Sequence, residues 1–218
     1  MTTTVRGGIG ALRILIALAL LGSVVWQITD RLAHDLFRPA EYFAYFSIQG
    51  TLICAVMLAV TGVRSFQGLS DTKLITISRL SSTVYVVVIA VVYNALLRGL
   101  PSDIRDAGYN WPQVPNEIIH VWGPIFMLLD WLLVAGFSSV RLRAAFWVVV
   151  YPLAWILFSV IRGNIDGWWA YWFLDPTDEG GVTGMLTYIF GIAALMIGLG
   201  FVLSLFARAL KPIQIAKA

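Results

Sequence analysis

This sequence has few charged residues. Only 12% of its 218 residues are charged, whereas 59% are hydrophobic. A soluble domain carries about 25% charged residues, so the composition excludes an ordinary water-soluble protein and indicates one that lies in a membrane. The net charge is only +3. Because a balance so close to neutral offers little attraction to a polyanion, we expect no nucleic-acid partner.

Cysteine and histidine are also scarce. The chain has one cysteine, Cys54, and two histidines. A single cysteine forms no disulfide within the chain, and there is no CxxC pair or repeated Cys/His spacing that would indicate a zinc site. The sequence also lacks internal repeats and a G-x-S-x-G motif. We therefore expect no metal and no cofactor, in one domain that covers residues 1–218.

Long apolar stretches dominate what is present. A helix needs about 20 mainly apolar residues to cross the hydrocarbon core of a bilayer. Six stretches meet that requirement, and they lie at 10–29, 41–63, 74–97, 116–137, 144–162 and 184–207. The first resembles a signal sequence, but it lacks a clear cleavage site and five more spans follow, so we expect it to be retained. The predicted fold is all-α, a bundle of six transmembrane helices.

The distribution of basic residues predicts how this bundle is oriented. If the N-terminus is cytoplasmic, ten of the fifteen Lys and Arg residues fall on the cytoplasmic side and five outside. Cytoplasmic loops carry an excess of Lys and Arg, so this ratio predicts that both termini are cytoplasmic. The long loops near 98–115 and 163–183 then lie outside. Such a topology fits a multi-pass protein of a bacterial plasma membrane.

Polar side chains occur near the outer ends of the second and fourth predicted spans. At a rise of about 1.5 Å per residue, Ser47 lies about 9 Å below the outer boundary and His120 about 6 Å below it. If the two helices are neighbours, a hydroxyl and an imidazole meet in one pocket. A hydroxyl is a poor nucleophile unless a base, usually histidine, takes its proton. The pair therefore predicts a hydrolytic site.

Three further polar residues near this pair are candidates for supporting roles. Thr51 lies one turn deeper than Ser47 on the same helix face and is the alternative nucleophile. Asn116 is a candidate to orient the imidazole, and Gln49 to hold an oxyanion. A packing role is the alternative for Ser47 and Thr51, because small residues at this spacing also allow helices to approach closely. For His120 the alternative is a structural histidine at the headgroup interface.

One acid lies deep inside a predicted span. Asp130 is past the middle of the fourth span, where an isolated charge costs about 2.5–3.5 kcal/mol. Arg79 enters the third span from the cytoplasmic side, and its long side chain extends toward the same depth. Because a buried charge needs a partner, we predict a structural ion pair between Arg79 and Asp130.

The stretch GWWAYWFLD, residues 167–175, concentrates aromatic residues in an outer loop. Such residues commonly form a belt at the membrane interface. Alternatively, they cover the mouth of the pocket and supply apolar walls for a lipid chain. The candidates for substrate binding are Trp168, Trp169, Tyr171 and Phe173.

Three motifs resemble the androgen-induced and androgen-dependent transmembrane hydrolase family and its bacterial six-helix relatives. They are YFSIQGT at 45–51, NEIIHVWGPIFMLLD at 116–130 and GWWAYWFLD at 167–175. The resemblance extends from the first predicted span to the sixth. It implies hydrolysis of fatty acid esters of hydroxy fatty acids by a threonine–histidine pair. His120 matches the histidine, whereas Ser47 stands where the family has threonine.

Together, the residues and the resemblance predict an integral membrane hydrolase whose partner is a membrane lipid or lipid ester. Ser47 attacks the ester carbonyl, His120 accepts its proton, and water then releases the acid from the acyl-enzyme. The main alternative is a non-enzymatic lipid-binding or structural membrane protein. A transporter is less consistent with a chain that lacks repeats and interrupted half-helices. A metal enzyme would need more ligands than His120 and Glu117.

Overall fold

Helices make up nearly all of the backbone in the computed structural model, which describes residues 2–100, 103–135, 142–178, 180–209 and 213–214. The helices of eleven or more residues are α1 (Thr3–Ala33), α3 (Phe46–Gln67), α4 (Lys73–Val92), α6 (Gly123–Leu133), α7 (Val150–Asp166) and α8 (Gly181–Ala209). Two short helices, α2 (Pro39–Tyr42) and α5 (Gln113–Glu117), precede α3 and α6.

Several of these helices change pitch along their length. Wider π turns continue α4 over Tyr93–Leu97 and join α5 to α6 over Ile118–Trp122. Tighter 3₁₀ turns form Ile104–Asp106, Leu142–Val149 and Trp172–Leu174. Two-residue strands, β1 (Val134–Ala135) and β2 (Ile213–Gln214), pair in parallel. The described chain is otherwise helical or loop.

Five helical stretches are long and apolar enough to cross a membrane. They are Thr3–Ala33, Phe46–Gln67, Lys73–Leu97, Leu142–Asp166 and Gly181–Ala209, and they correspond to five of the six predicted spans.

The predicted span 116–137 differs from these five. Its counterpart is helical without a break over Gln113–Leu133 but is not among the stretches apolar enough to cross a membrane. Its polar residues lower its mean hydropathy. The end of the predicted span, 136–137, lies outside the described residues.

The outer surface of the bundle is apolar, and polar groups face inward. On α1, Leu15 and Leu18 are 62% and 58% exposed, while Arg13 is 0% and Gln27 7% exposed. A water-soluble helix has the opposite arrangement, with its apolar side toward the core. The long apolar helices and this outward-facing apolar surface indicate a membrane protein.

Glycines allow adjacent helices to approach closely. A Cβ atom added at Gly10 of α1 would lie 2.9 Å from the Gly62 carbonyl oxygen of α3. The start of α1 therefore lies beside the end of α3, and the two helices are antiparallel. A Cβ added at Gly50 of α3 would lie 2.6 Å from Ile89 Cδ1 of α4. Small residues at such crossings let backbones pack at short range, so the Gly50 region of α3 has a packing role.

Antiparallel packing gathers the longer connections at one end of the bundle. This loop end consists of residues 34–45, 103–112 and 167–178. Its first two segments are held to each other by ion pairs, because Arg105 Nη1 lies 2.8 Å from Glu41 Oε1 and Arg38 Nη2 lies 2.7 Å from Asp106 Oδ1. Hydrogen bonds from Arg105 lower the pKa of Asp103 to about 2, so this part of the loop is ionised at neutral pH.

Candidate functional site

A cavity with a volume of about 100 Å³ lies at the loop end, between α3, α4, α7 and α8. Most of its wall is aliphatic or aromatic. The polar side chains in its lining are Ser47, Tyr93, His120 and Tyr171. The cavity therefore brings the predicted hydroxyl and imidazole to a single apolar space.

Ser47 belongs to the first turn of α3, which begins at Phe46. The first N–H groups of a helix have no partner within that helix. The Ser47 N–H donates to the Tyr171 hydroxyl at 3.3 Å, and the Ser47 hydroxyl lies beside the same phenol oxygen. Burial raises the pKa of Tyr171 to about 12, so the phenol keeps its proton at neutral pH. Tyr171 thus joins the loop end to the serine.

His120 is held in the π turn between α5 and α6. Its Nδ1 lies 2.9 Å from the Asn116 carbonyl oxygen, and its ring stacks on Tyr93 with centroids 4.1 Å apart. A carbonyl oxygen only accepts hydrogen bonds, so in the neutral imidazole Nδ1 carries the proton and Nε2 has a free lone pair. Within the described residues Nε2 makes no hydrogen bond, although the side chain is only 8% exposed. This is the protonation state that a general base requires.

Asn116 holds the imidazole directly through its backbone and indirectly through its side chain. Its backbone carbonyl accepts from His120 Nδ1, and its side-chain amide donates to the Tyr93 hydroxyl at 2.6 Å. Because Tyr93 stacks on the imidazole, the amide also fixes the ring that covers His120. The orienting function predicted for Asn116 therefore has a structural counterpart in its carbonyl as well as in its side chain.

No hydrogen bond joins Ser47 to His120 among the described residues. Both side chains line the cavity, but their polar atoms are not in direct contact. Catalytic hydrogen bonds are often long in free enzymes and shorten only when substrate binds. In this structure the two residues therefore share a cavity without forming a hydrogen-bonded pair.

Two other predicted residues lie outside the cavity lining. The Thr51 hydroxyl donates to the Ser47 carbonyl oxygen at 2.7 Å, and the side chain is 1% exposed. Gln49 donates to the Phe43 carbonyl oxygen at 2.7 Å and accepts from the Tyr151 hydroxyl. Both polar groups are therefore used within α3 or between helices. The structure does not bring either of them to the cavity.

The aromatic segment at 167–175 is divided between two roles. Tyr171 and Phe173 line the cavity, and their rings stack with centroids 5.2 Å apart. Trp168 instead packs against Arg162, whose guanidinium carbon lies 4.2 Å from its ring centroid. Trp169 covers Gly163, where an added Cβ would lie 2.6 Å from the indole. Only two of the four predicted substrate-binding residues therefore line the cavity.

Sequence reasoning missed three aromatic residues that line the cavity: Tyr93, which stacks on His120, and the neighbouring pair Phe46 and Trp155. The rings of this pair lie edge to face with centroids 5.2 Å apart, and Trp155 Nε1 donates to the Ala44 carbonyl oxygen at 2.9 Å. Phe46 is adjacent to Ser47 in the chain, which was a usable signal. Trp155 belongs to α7, and nothing in its local sequence relates it to the second span.

The structure brings Arg79 and Asp130 together, with Nη2 and Oδ2 2.9 Å apart. Two more charged residues join them to form a buried ion-pair cluster. Arg13 binds Asp130 through two hydrogen bonds of 2.8 and 3.0 Å, and Arg79 binds Asp71 at 2.8 Å. Each of the four side chains is at most 7% exposed. Among these four buried side chains two cations and two anions balance, which is how buried charges avoid an uncompensated desolvation cost. The partly exposed Arg64 adds a longer contact at the edge of the cluster, with its Nε 3.7 Å from Asp71 Oδ1.

The cluster lies at the end of the bundle away from the cavity and connects α1, α4 and α6. Arg13 also donates to the Ser65 hydroxyl at 2.9 Å and to the Thr61 carbonyl oxygen at 3.2 Å, which adds α3. Sequence reasoning assigned Arg13 only to topology. A count of the charges that lie at least three residues inside the predicted spans pointed further, because it gives two arginines, Arg13 and Arg79, and one acid, Asp130.

Within the described ranges, no group of three or more His, Cys, Asp or Glu side chains is placed to hold a metal ion. Comparison of the chain with protein-family models, with curated proteins and with solved structures found no match.

Proposed function

We propose that this protein is an integral membrane hydrolase of lipid esters, of the type that acts on fatty acid esters of hydroxy fatty acids. Ser47 is the nucleophile and His120 the general base. The observation that supports this proposal is that both side chains line one apolar cavity. In addition, the imidazole has its proton on Nδ1 and its lone pair on Nε2, where a base needs it.

The mechanism uses three groups of the cavity. Ser47 Oγ attacks the ester carbonyl carbon while His120 Nε2 takes the hydroxyl proton. The carbonyl oxygen becomes an oxyanion, and the protonated phenol of Tyr171 donates a hydrogen bond to it. His120 then returns the proton to the leaving alcohol oxygen. Water attacks the acyl-serine with His120 again as base, and the acid leaves with Ser47 restored.

Tyr171 is better placed for the oxyanion than the predicted Gln49, whose amide is engaged elsewhere. The Tyr171 oxygen already accepts the Ser47 N–H. A hydroxyl that accepts one hydrogen bond becomes a stronger donor of another. The phenol also stands at the N-terminus of α3, where the helix dipole favours negative charge.

The membrane arrangement that accompanies this function has six spans, with Gln113–Leu133 as the fourth. Asp130 is the main obstacle to placing that stretch in a bilayer, and its pairing with Arg13 and Arg79 removes the isolated charge. Both termini are then cytoplasmic and the cavity opens toward the outer leaflet of a bacterial plasma membrane.

A second candidate function is binding of lipid without hydrolysis. The observation that favours it is the absence of a hydrogen bond between Ser47 and His120 among the described residues. In that case the cavity holds a lipid chain, and Ser47 and His120 form hydrogen bonds with the polar end of the lipid.

Labelling with a fluorophosphonate probe separates the two functions. We expect the purified wild-type protein to be labelled, and Ser47→Ala and His120→Ala each to lose labelling. Matched controls are Ser23→Ala, whose hydroxyl bonds the Ala19 carbonyl oxygen within α1, and His34→Ala, the other histidine, at the exposed end of α1. Both controls should be labelled like the wild type.

The outcomes divide clearly. Labelling that persists in Ser47→Ala but disappears in Thr51→Ala moves the nucleophile one turn deeper. A folded wild-type protein that no probe labels supports the lipid-binding function instead, and co-purified lipid is then identified by mass spectrometry.

A further inference from the structure

The end of the bundle away from the cavity, where α1 and α4 begin and α3 and α8 end, carries an excess of positive charge. Among the described residues, seven Lys and Arg side chains and two Asp side chains lie there. Four of these nine form the buried ion-pair cluster, in which cations and anions balance. The other five are all cations: Arg6, Arg64, Lys73, Arg143 and Arg208.

Arg6 is partly buried but has no polar partner among the described residues. It lies one turn before Gly10 on α1, on the side that faces α3. Its guanidinium packs against Gly68, where an added Cβ atom would lie 2.8 Å from Arg6 Cζ. Its Nε is buried and makes no hydrogen bond. Since a buried donor without a partner is costly, this guanidinium is a candidate to bind an anion.

A second arginine contacts the same turn between α3 and α4. Arg64, in the last turn of α3, donates from Nη2 to the Ser70 carbonyl oxygen, and its Nε lies 3.7 Å from Asp71 Oδ1. The only acid of this turn, Asp71, is already paired with Arg79 at 2.8 Å. The charge near Arg6 is therefore positive, which favours a bound anion.

The surface around Arg6 is apolar. Val5 precedes it on α1, and Phe66 and Leu69 lie on either side of Gly68 in the chain; these three side chains are 46%, 50% and 46% exposed. A phospholipid matches this pattern, because its phosphate lies at the boundary of the hydrocarbon and its acyl chains contact apolar side chains. A free phosphate ion would gain nothing from the apolar neighbours.

We propose that Arg6, with Arg64 beside it, binds the phosphate of an anionic phospholipid such as phosphatidylglycerol. The acyl chains of this lipid lie along Phe66 and Leu69. A guanidinium donates two parallel hydrogen bonds to phosphate oxygens, and the excess of cations favours a head group with a net negative charge. The site depends on the membrane location of the protein and not on the proposed hydrolase activity.

Native mass spectrometry of the full chain in a neutral detergent tests this site, because it counts bound lipids and gives their affinity. The probes are phosphatidylglycerol and phosphatidylcholine with identical acyl chains. We expect the wild type to bind one phosphatidylglycerol at least about tenfold more tightly than phosphatidylcholine, because each basic side chain near an anionic head group contributes roughly a fivefold gain.

Two arginines at this end provide a matched pair of variants. Arg6→Gln should weaken phosphatidylglycerol binding by at least about tenfold, because it removes both the charge and the hydrogen bonds to the phosphate. Arg143 is exposed and belongs to the 3₁₀ turns that pack on α4 and α8, so Arg143→Gln should change the affinity by less than about twofold. Arg6→Lys keeps the charge without the planar fork and should bind with intermediate affinity.

Three results would overturn the site. They are equal affinities of the wild type for the two lipids, equal losses in Arg6→Gln and Arg143→Gln, which would mean diffuse surface charge, and displacement of the lipid by millimolar inorganic phosphate. If Arg6→Gln does not fold, Arg6→Lys with wild-type affinity would also contradict the proposal. Fluorophosphonate labelling should be the same in Arg6→Gln as in the wild type, so an unlabelled wild type contradicts the hydrolase and leaves the lipid site standing.

Discussion

Neutralising Asp130 is expected to destabilise the protein more than any other single charge removal. Asp130 accepts three hydrogen bonds from two guanidinium groups, those of Arg13 and Arg79. Asp130→Asn leaves the cluster with two cations and only Asp71 as counter-charge. Removing one partner of a buried ion pair lowers the free energy of unfolding by about 3–5 kcal/mol. This is a large part of a total stability of about 5–15 kcal/mol.

Adding a second substitution to Asp130→Asn tests whether the charges act as a four-residue cluster or as a simple pair. Arg13→Gln added to Asp130→Asn leaves Arg79 bonded to Asp71 at 2.8 Å, so no charge is unpaired. Arg79→Gln added to Asp130→Asn instead leaves Arg13 without an acidic partner and Asp71 with only the longer 3.7 Å contact to Arg64. We therefore expect the double variant at 13 and 130 to recover about 1–3 kcal/mol, the usual coupling between contacting residues, and the one at 79 and 130 to recover less.

The assay is equilibrium unfolding by SDS in mixed micelles, followed by far-ultraviolet circular dichroism. Asp35→Asn is the control, because it makes the same chemical change at an exposed position on the loop end. Asp130→Asn as stable as Asp35→Asn would refute the cluster as a source of stability. Greater rescue by Arg79→Gln than by Arg13→Gln would mean that the Arg79–Asp130 pair acts alone.

Three further predictions concern Tyr171, the crossing of α1 and α3, and the loop end. Tyr171→Phe should remain folded but slow fluorophosphonate labelling by about 100-fold, the usual cost of one oxyanion donor; an unchanged rate excludes that role. Gly10→Ala should destabilise by about 1–3 kcal/mol because its Cβ meets the Gly62 carbonyl oxygen at 2.9 Å, while Gly22→Ala, with open space around it, should stabilise in the same SDS titration. The pKa of Asp103 is lowered to about 2. Its ion pair with Arg105 should therefore stay intact at about pH 4, near the ordinary Asp pKa, and be lost as the pH falls through about 2. Pepsin should then cut residues 103–112 faster at the lower pH, relative to an unfolded reference substrate, and equal relative rates would contradict the role of Asp103.

Local sequence was sufficient for the elements that depend on hydropathy alone. The all-helical class and the membrane character follow from apolar stretches of bilayer length, and five of the predicted spans are long apolar helices in the structure. The sequence did not show that α3 begins at Phe46 and not at Glu41. The short helix α2 and the turn after it precede α3, and they are held by contacts such as the hydrogen bond from Trp155 Nε1 to the Ala44 carbonyl oxygen. Such contacts come from residues far away in the chain.

Residue type and helix depth, which the sequence determines, identified Ser47 and His120 as candidates. Only the tertiary structure decided which of their neighbours share the cavity. Ser47, Gln49 and Thr51 are within five positions, yet only Ser47 lines the cavity, because Gln49 is on another side of the helix and Thr51 is one turn deeper with its hydroxyl bonded to the Ser47 carbonyl oxygen. Likewise, the burial of Asp130 required a counter-charge, but Arg13 is 117 residues away. Periodicity determines which face of a helix a residue occupies, and only the packing of the helices determines what that face contacts.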